Sequence, residues 1–256
     1  MTEAKGPYGG TAYVPIEKLY GEEPPPPPVP PSLLEQVVGV FSEPAALFQR
    51  LATTPVWKGA LSLMVAANLV VTVLWARKVD VDAMIRPMLE RNPRIPVDNY
   101  DAIISMQSKM ILPFALVGAL LALPLISLIM ALIYWAIGRG TAERQPPSFP
   151  QAFSATVVAG LVLLPKLLLL GIVCTLKNIG GAKPDALSPT ALGFFVVPDS
   201  LKLQSIFNNL DLFTFAALFM VFLASRHTMR LRTQGAAACV AVAAAATFLL
   251  PLLGAR

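Results

Sequence analysis

Apolar residues in this chain gather in blocks separated by charged connectors. From Gly59 to Ala76, 18 residues pass without a charge, and from Met110 to Gly138 another 29 do so. A helix rises about 1.5 Å per residue, so about 20 residues cover a hydrocarbon core of roughly 30 Å. The first block is just sufficient. The second exceeds the need, and tilt or a kink at Pro113 or Pro124 is expected to absorb the excess. The third block, Phe153 to Leu176, reads FSATVVAGLVLLPKLLLLGIVCTL and carries one charge, Lys166, directly after Pro165. The uncharged run from Leu212 to Ser225 has only 14 residues. A crossing there has to recruit Ile206 to Leu210, which draws Asp211 into the membrane. An alanine-rich block from Gly235 to Ala255 ends the series, its small side chains suited to close helix packing. The pattern predicts an all-α polytopic transmembrane bundle with five spans at about 59–76, 110–138, 153–176, 206–225 and 235–254, inside a domain covering 57–255.

The connectors predict less regular pieces. Residues 1–31 lack hydrophobic periodicity and end in PPPPPVPP, an extended, disordered proline-rich head that cannot form a core. Ser32 with Glu35 is a capping box ahead of Leu33, Leu34, Val37, Val38 and Phe41, and Pro44 reads as a second helix start. Two amphipathic helices over 32–56 are therefore expected along the cytoplasmic interface. Trp57 and Trp75 read as aromatic-belt residues of the first span, Tyr134 and Trp135 as the far interface of the second. Asn68 is placed to hydrogen-bond across to another helix. Asp98 is a candidate cap for a helix running into the second span. The connector Arg139 to Pro150 makes the second and third spans an antiparallel hairpin, and the GFFVVP patch at 193–198 is expected to dip into the interface.

Composition agrees with a membrane bundle: 55% of residues are hydrophobic and 14% charged, against about 25% charged in soluble domains. The net charge of +5 is scattered over loops, which suits anionic lipid headgroups and not nucleic acid. No secretory signal is visible at the start. Cys174 and Cys239 stand alone in separate spans, so no metal site and no cofactor are expected. With the N-terminus inside, lysines and arginines number nine in the cytoplasm and ten outside, which does not decide the orientation. The short loop SRHTMRLRTQ decides it, with three arginines and no acid, and it puts the N-terminus in the cytoplasm and the C-terminus outside.

Chemistry is sparse. His227, the only histidine, has no carboxylate or nucleophile at helical spacing, and neither a phosphate loop nor HExxH appears. Enzymatic activity is not expected. Lys166 and Asp211 form the candidate constellation. Counting from the outer ends of their spans puts them at depths about 7 Å apart, within a lysine's reach if the helices touch. Three roles stay open for them: a structural ion pair that fixes helix partners, separate snorkelling to water, or a transport or ion-relay site.

The run EPAALFQRLATTPVWKG before the first span, IYWAIGRG ending the second, SFPQAFSATVVAGLVLLPKLL with its internal Pro165, and NNLDLFTFAALFM entering the fourth together resemble the Yip domain family, its bacterial members above all. The resemblance covers about residues 43 to 253. It implies a five-span integral membrane protein of the cell inner membrane. Eukaryotic relatives bind small Rab-type GTPases through their heads, but this head, with pieces such as KLYGEE, has too little of that pattern to carry the binding across. The expected function is a non-enzymatic membrane scaffold or organiser that binds protein partners, with the proline-rich head and the interfacial helices as contact surfaces. Those partners are unidentified, and self-association to a homo-oligomer is open. The alternative is a small transporter or channel component using Lys166 and Asp211.

Overall fold

The computed structural model describes residues 28–196, 198 and 200–254, and its regular structure there is helical, with two isolated β-bridges and no strand. The expected proline-rich head, apart from its last residues Pro28 to Pro31, lies outside the described residues. Ten α-helices follow in order. They are α1 (Leu33–Ser42), α2 (Pro44–Thr53), α3 (Lys58–Ala76), α4 (Val81–Glu90), α5 (Tyr100–Thr141), α6 (Phe149–Gly160), α7 (Leu164–Leu176), α8 (Leu201–Asn209), α9 (Leu212–His227) and α10 (Thr233–Gly254).

Local chemistry sets several of these boundaries. Ser32 caps α1, its hydroxyl accepting from the Glu35 N–H while the Glu35 carboxylate accepts from the Ser32 N–H at 2.7 Å. Ser148 and Gln151 repeat the device at α6. Pro44 opens α2, where its missing N–H is no loss. α5 continues for 42 residues straight through Pro113 and Pro124. It starts at Tyr100 after a 3₁₀ turn over Val97–Asn99, so Asp98 sits within that turn and does not cap the long helix.

Among the described residues, four helical stretches are long and apolar enough to cross a membrane: Lys58–Ala76, Val97–Thr141, Phe149–Leu176 and Thr233–Leu252. α9 has 16 residues, about 24 Å of rise, and is apolar but shorter than these four. α3 packs on α5 and α7, α6 on α5 and α9, and α10 on α9 and α5. The outward side chains of α5, including Phe114, Val117, Leu121, Leu125, Ile126 and Ile129, remain exposed. Such an apolar outer surface suits acyl chains and not water.

At one end, α1 and α2 are wedged into the bundle. Phe48 and Leu51 are fully buried, and three backbone carbonyls of the α2 region accept side-chain hydrogen bonds from later elements. Thr228 Oγ1 donates to Phe48 O at 2.8 Å, Gln151 Nε2 to Ala52 O at 2.6 Å and Ser154 Oγ to Val56 O at 2.7 Å. The loops after α5 and α9 meet at the same end. Arg226 pairs with Glu143 at 2.7 Å, the Glu143 N–H donates to Arg230 O, and Thr228, Met229 and Leu231 are buried beneath. At the other end, the loop after α7 closes over α3 and α4. Gly180 O accepts from the Asp80 N–H, and Ala182 O from Trp75 Nε1.

Trp75 is therefore a buried packing residue with an internal hydrogen-bond partner and not the belt residue its position suggested. Trp57 likewise turns inward, edge-on to Phe153 with centroids 4.9 Å apart, and Tyr134 is buried. The reason is common to the three: an aromatic ring beside a neighbouring element gains more contact than the same ring among headgroups.

Two outcomes are expected. A Cβ on Gly181 would lie 2.5 Å from the Met84 backbone nitrogen, which no side-chain rotation relieves. Gly181→Ala should cost about 1–3 kcal/mol, read as a lowered denaturation midpoint in detergent, whereas Gly118→Ala, with open space around it, should not. Second, the Ser32 N–H, then the Ser32 hydroxyl and Arg50, hold the Glu35 carboxyl below its ordinary titration range. A depressed folded-state value contributes stability above that range and loses it as pH falls through it. The wild type should exceed Glu35→Gln in stability at neutral pH, with the gap closing in acid.

Candidate functional site

The site forms where two crossings break at one level. Pro165 lacks an N–H and its ring cannot sit against the carbonyl of residue 161 in a regular helix. The chain answers with a 3₁₀ turn over Leu161–Leu163, and α7 restarts with Pro165 in its first turn and Lys166 next to it. The fourth crossing is interrupted too. A single helix over 206–225, as the apolar pattern suggested, does not form; α8 ends at Asn209, Leu210 and Asp211 are non-helical, and α9 begins at Leu212. Asp211 causes this restart. Its carboxylate caps the new helix, Oδ1 accepting from the Phe213 N–H at 2.7 Å, a bond available only to a residue in extended conformation just before a helix.

Counted at 1.5 Å per residue, Lys166 lies about 25 Å along α6 and α7 from Phe149, and Asp211 about 24 Å along α9 from His227. The two are level, in place of the 7 Å offset a continuous helix would give, and Lys166 Nζ stands 3.3 Å from Asp211 Oδ2. Asp211 is fully buried, and the Lys166 side chain keeps 23% of its surface.

The remaining partners come from the connector after α7. α7 continues ten residues past Lys166, about 15 Å, and the connector then folds back to Asp211. Ser188 Oγ donates to Asp211 Oδ2 at 2.6 Å and Thr190 Oγ1 donates at 2.9 Å. Ala191 bridges to Asp211 in antiparallel sense, and the Leu192 N–H donates to Leu210 O. Gly193 lies so close under Asn208 that a Cβ would sit 2.0 Å from the carboxamide oxygen. Non-helical backbone at this depth is tolerated only when embedded in protein, and these contacts embed it. The GFFVVP patch has a divided fate, with Gly193 buried in the fold-back and Phe195 and Val196 exposed.

Asp211 accepts three hydrogen bonds, one at Oδ1 from a backbone N–H and two at Oδ2 from hydroxyls, and the Lys166 ammonium pairs with the same Oδ2. Chemically this is a latch. It ties α7, the fold-back and the start of α9 into one unit. The other predicted residues are separate from it. Asn68 Nδ2 donates to Ala119 O at 3.3 Å, linking α3 to α5, and Pro124 lies within α5. His227 is half-buried with Nδ1 3.5 Å from Gln49 Nε2. Cys174 and Cys239 are buried free thiols, and among the described residues no three histidine, cysteine or acidic side chains converge as a metal site.

Ser188 and Thr190 were not anticipated, because hydroxyls in an irregular connector carry no periodic signal. The helix break did have one: an aspartate immediately before an apolar run is an N-cap signature.

An apolar bundle of this make-up, with helices of membrane-crossing length, is an integral membrane protein. The family model for the Yip1 domain matches residues 38–255, and the chain belongs to that family. Comparison with curated proteins and with solved structures gives no match.

If the latch is a coupled pair, removing one charge strands the other. Asp211→Asn keeps an oxygen to cap α9 but sets an amide N–H before the Ser188 and Thr190 hydroxyls, so its cost combines those bonds with the lost charge. Asp211→Asn and Lys166→Met should each destabilise, up to about 3–5 kcal/mol for a stranded buried charge. The double variant should cost about 1–3 kcal/mol less than their sum, measured by equilibrium unfolding in micelles. Additive costs would mean that the pair is uncoupled.

Proposed function

We propose that the protein is a non-enzymatic membrane organiser that presents a protein-binding surface at the end of the bundle carrying α1 and α2, and that this end faces the cytoplasm. The observation that carries the reading is the groove between α1 and α2, a volume of about 430 Å³ lined by Leu34, Val38 and Ala46 and rimmed by Glu35, Glu43 and Arg50. Leu34, Val38 and Phe41 stand exposed beside it, one face of α1 at helical spacing. An apolar floor with charges of both signs on its rim suits a polypeptide, which offers apolar side chains and polar backbone together. The head joins the chain at α1, so whatever it binds is delivered to this face.

Five crossings are part of the same proposal, with α9 as the fourth. The cytoplasmic assignment is supported by Arg139, Arg144, Arg226, Arg230 and Arg232 sharing this end, which fits the excess of basic residues in cytoplasmic loops. Lys166 and Asp211 take the architectural role here. What supports this is the number of elements that Asp211 joins: it caps α9, accepts from two hydroxyls of the connector and pairs with Lys166 of α7.

A photo-crosslinking residue at Val38, in the intact chain in native membranes, tests the surface. Protein adducts are expected, reduced by Ala46→Glu in the groove floor. Lipid adducts alone at Val38 would overturn the reading. Solute flux in liposomes that disappears in Lys166→Met with Asp211→Asn would restore the transporter alternative.

A further inference from the structure

At the end opposite α1 and α2, the outer surface carries a second groove, between α3 and α7. It has a volume of about 510 Å³ and a lining that is almost wholly apolar, with Val70, Leu74, Leu168 and Ile172 among its walls. Gly171 faces α3, with the Leu74 and Val71 side chains 3.7 Å from where a Cβ would stand, an ordinary packing distance. The lined part of α7 runs from Leu167 to Leu176, about 13 Å along the helix axis. Both helices belong to membrane-crossing stretches, so the groove opens onto acyl chains.

Its mouth is cationic. Lys78 Nζ donates to the carbonyl of Thr175, itself a lining residue, which holds the ammonium over the groove's end. Arg77 is exposed beside it, and Lys177 follows directly after α7 with its ammonium 4.6 Å from the Phe194 ring centroid. The next acid along the chain, Asp80, has its carboxylate turned to the Ala83 N–H as the cap of α4.

We infer that this groove holds an acyl chain of an anionic phospholipid, whose phosphate sits against Arg77 and Lys78. The apolar length takes the chain, and the clustered cations at the depth of the interface take the headgroup. A second copy of the protein fits the groove poorly. A two-fold dimer through this face would bring Arg77, Lys78 and Lys177 of both copies together, and an isologous contact offers them no opposite charge. A zwitterionic lipid would fill the apolar part without answering the cations.

The full chain in nanodiscs of phosphatidylglycerol and phosphatidylcholine with matched acyl chains, followed by native mass spectrometry, tests the assignment. The wild type should retain phosphatidylglycerol over phosphatidylcholine by roughly ten- to thirtyfold, as two cations near an anionic headgroup imply. Arg77→Gln with Lys78→Gln should bring the ratio near one and leave retention of chains intact. Val70→Trp, which fills the groove from its exposed side, should reduce retention of both lipids. Leu168→Trp on the opposite wall serves the same purpose if Val70→Trp does not fold. Equal retention of the two lipids by the wild type would overturn the inference. So would undiminished phosphatidylglycerol retention in a folded tryptophan variant. Chain-to-chain crosslinking through Ile172→Cys in membranes would also overturn it, by giving the groove to a second copy.

Discussion

Inside a bilayer a helix may be interrupted only if the freed backbone groups and any charge find partners within the protein. This chain interrupts two helices at one level; a 3₁₀ turn satisfies the backbone at the first break, and the carboxylate of Asp211 meets the charge there and the helix start at the second. It caps α9, neutralises the lysine that follows the Pro165 break, and fastens the connector that fills the gap beyond α8. Take the carboxylate away and a helix start, an ammonium and two hydroxyls lose a partner together. The arrangement concentrates in one side chain what a continuous apolar helix would spread over several turns. A buried ion pair adds little net stability over apolar packing, but it penalises misaligned arrangements heavily, which suits a residue that sets the relative level of two helices.

The two ends of the bundle are built on different principles. The end bearing α1 and α2 is interlocked: side chains from α6 and the α9–α10 loop bond to α2 carbonyls, and Arg226 staples that loop to Glu143. The opposite end is a cover of turns. Gly180 adopts a positive φ of 50° and Gly181 lies against the backbone of α4, while Trp75 donates to the carbonyl of Ala182, so turns and one buried indole close this end. A protein-binding face on the interlocked end and a lipid contact at the covered end are consistent with that division.

Much of the architecture was legible in the pattern of apolar blocks, since a bilayer enforces length and composition on whatever crosses it. Both helix starts at Ser32 and Pro44 could be read because caps are local chemistry. Legibility failed where tertiary contact overrides local expectation. Trp57 and Trp75 have the sequence context of interface anchors, yet neighbouring elements claim them. The arginine-rich stretch after α9 reads as a solvated loop, but Thr228, Met229 and Leu231 point under it into the core. At the latch, residue counting brought Lys166 and Asp211 to neighbouring depths. It could not produce Ser188 and Thr190, whose positions depend on how an irregular connector returns.

The α2 hydrogen bonds also order events in time. Phe48 is joined to Thr228 across 180 positions of chain, and Ala52 and Val56 to partners 99 and 98 positions downstream. During synthesis, α1 and α2 emerge first and find nothing to bind, because the helices that receive them are still unmade. Their exposed apolar faces must wait, beside the membrane or under a chaperone, until residue 228 has been translated. Of the described helices, the first two to be made are thus seated late, only after α9 has formed.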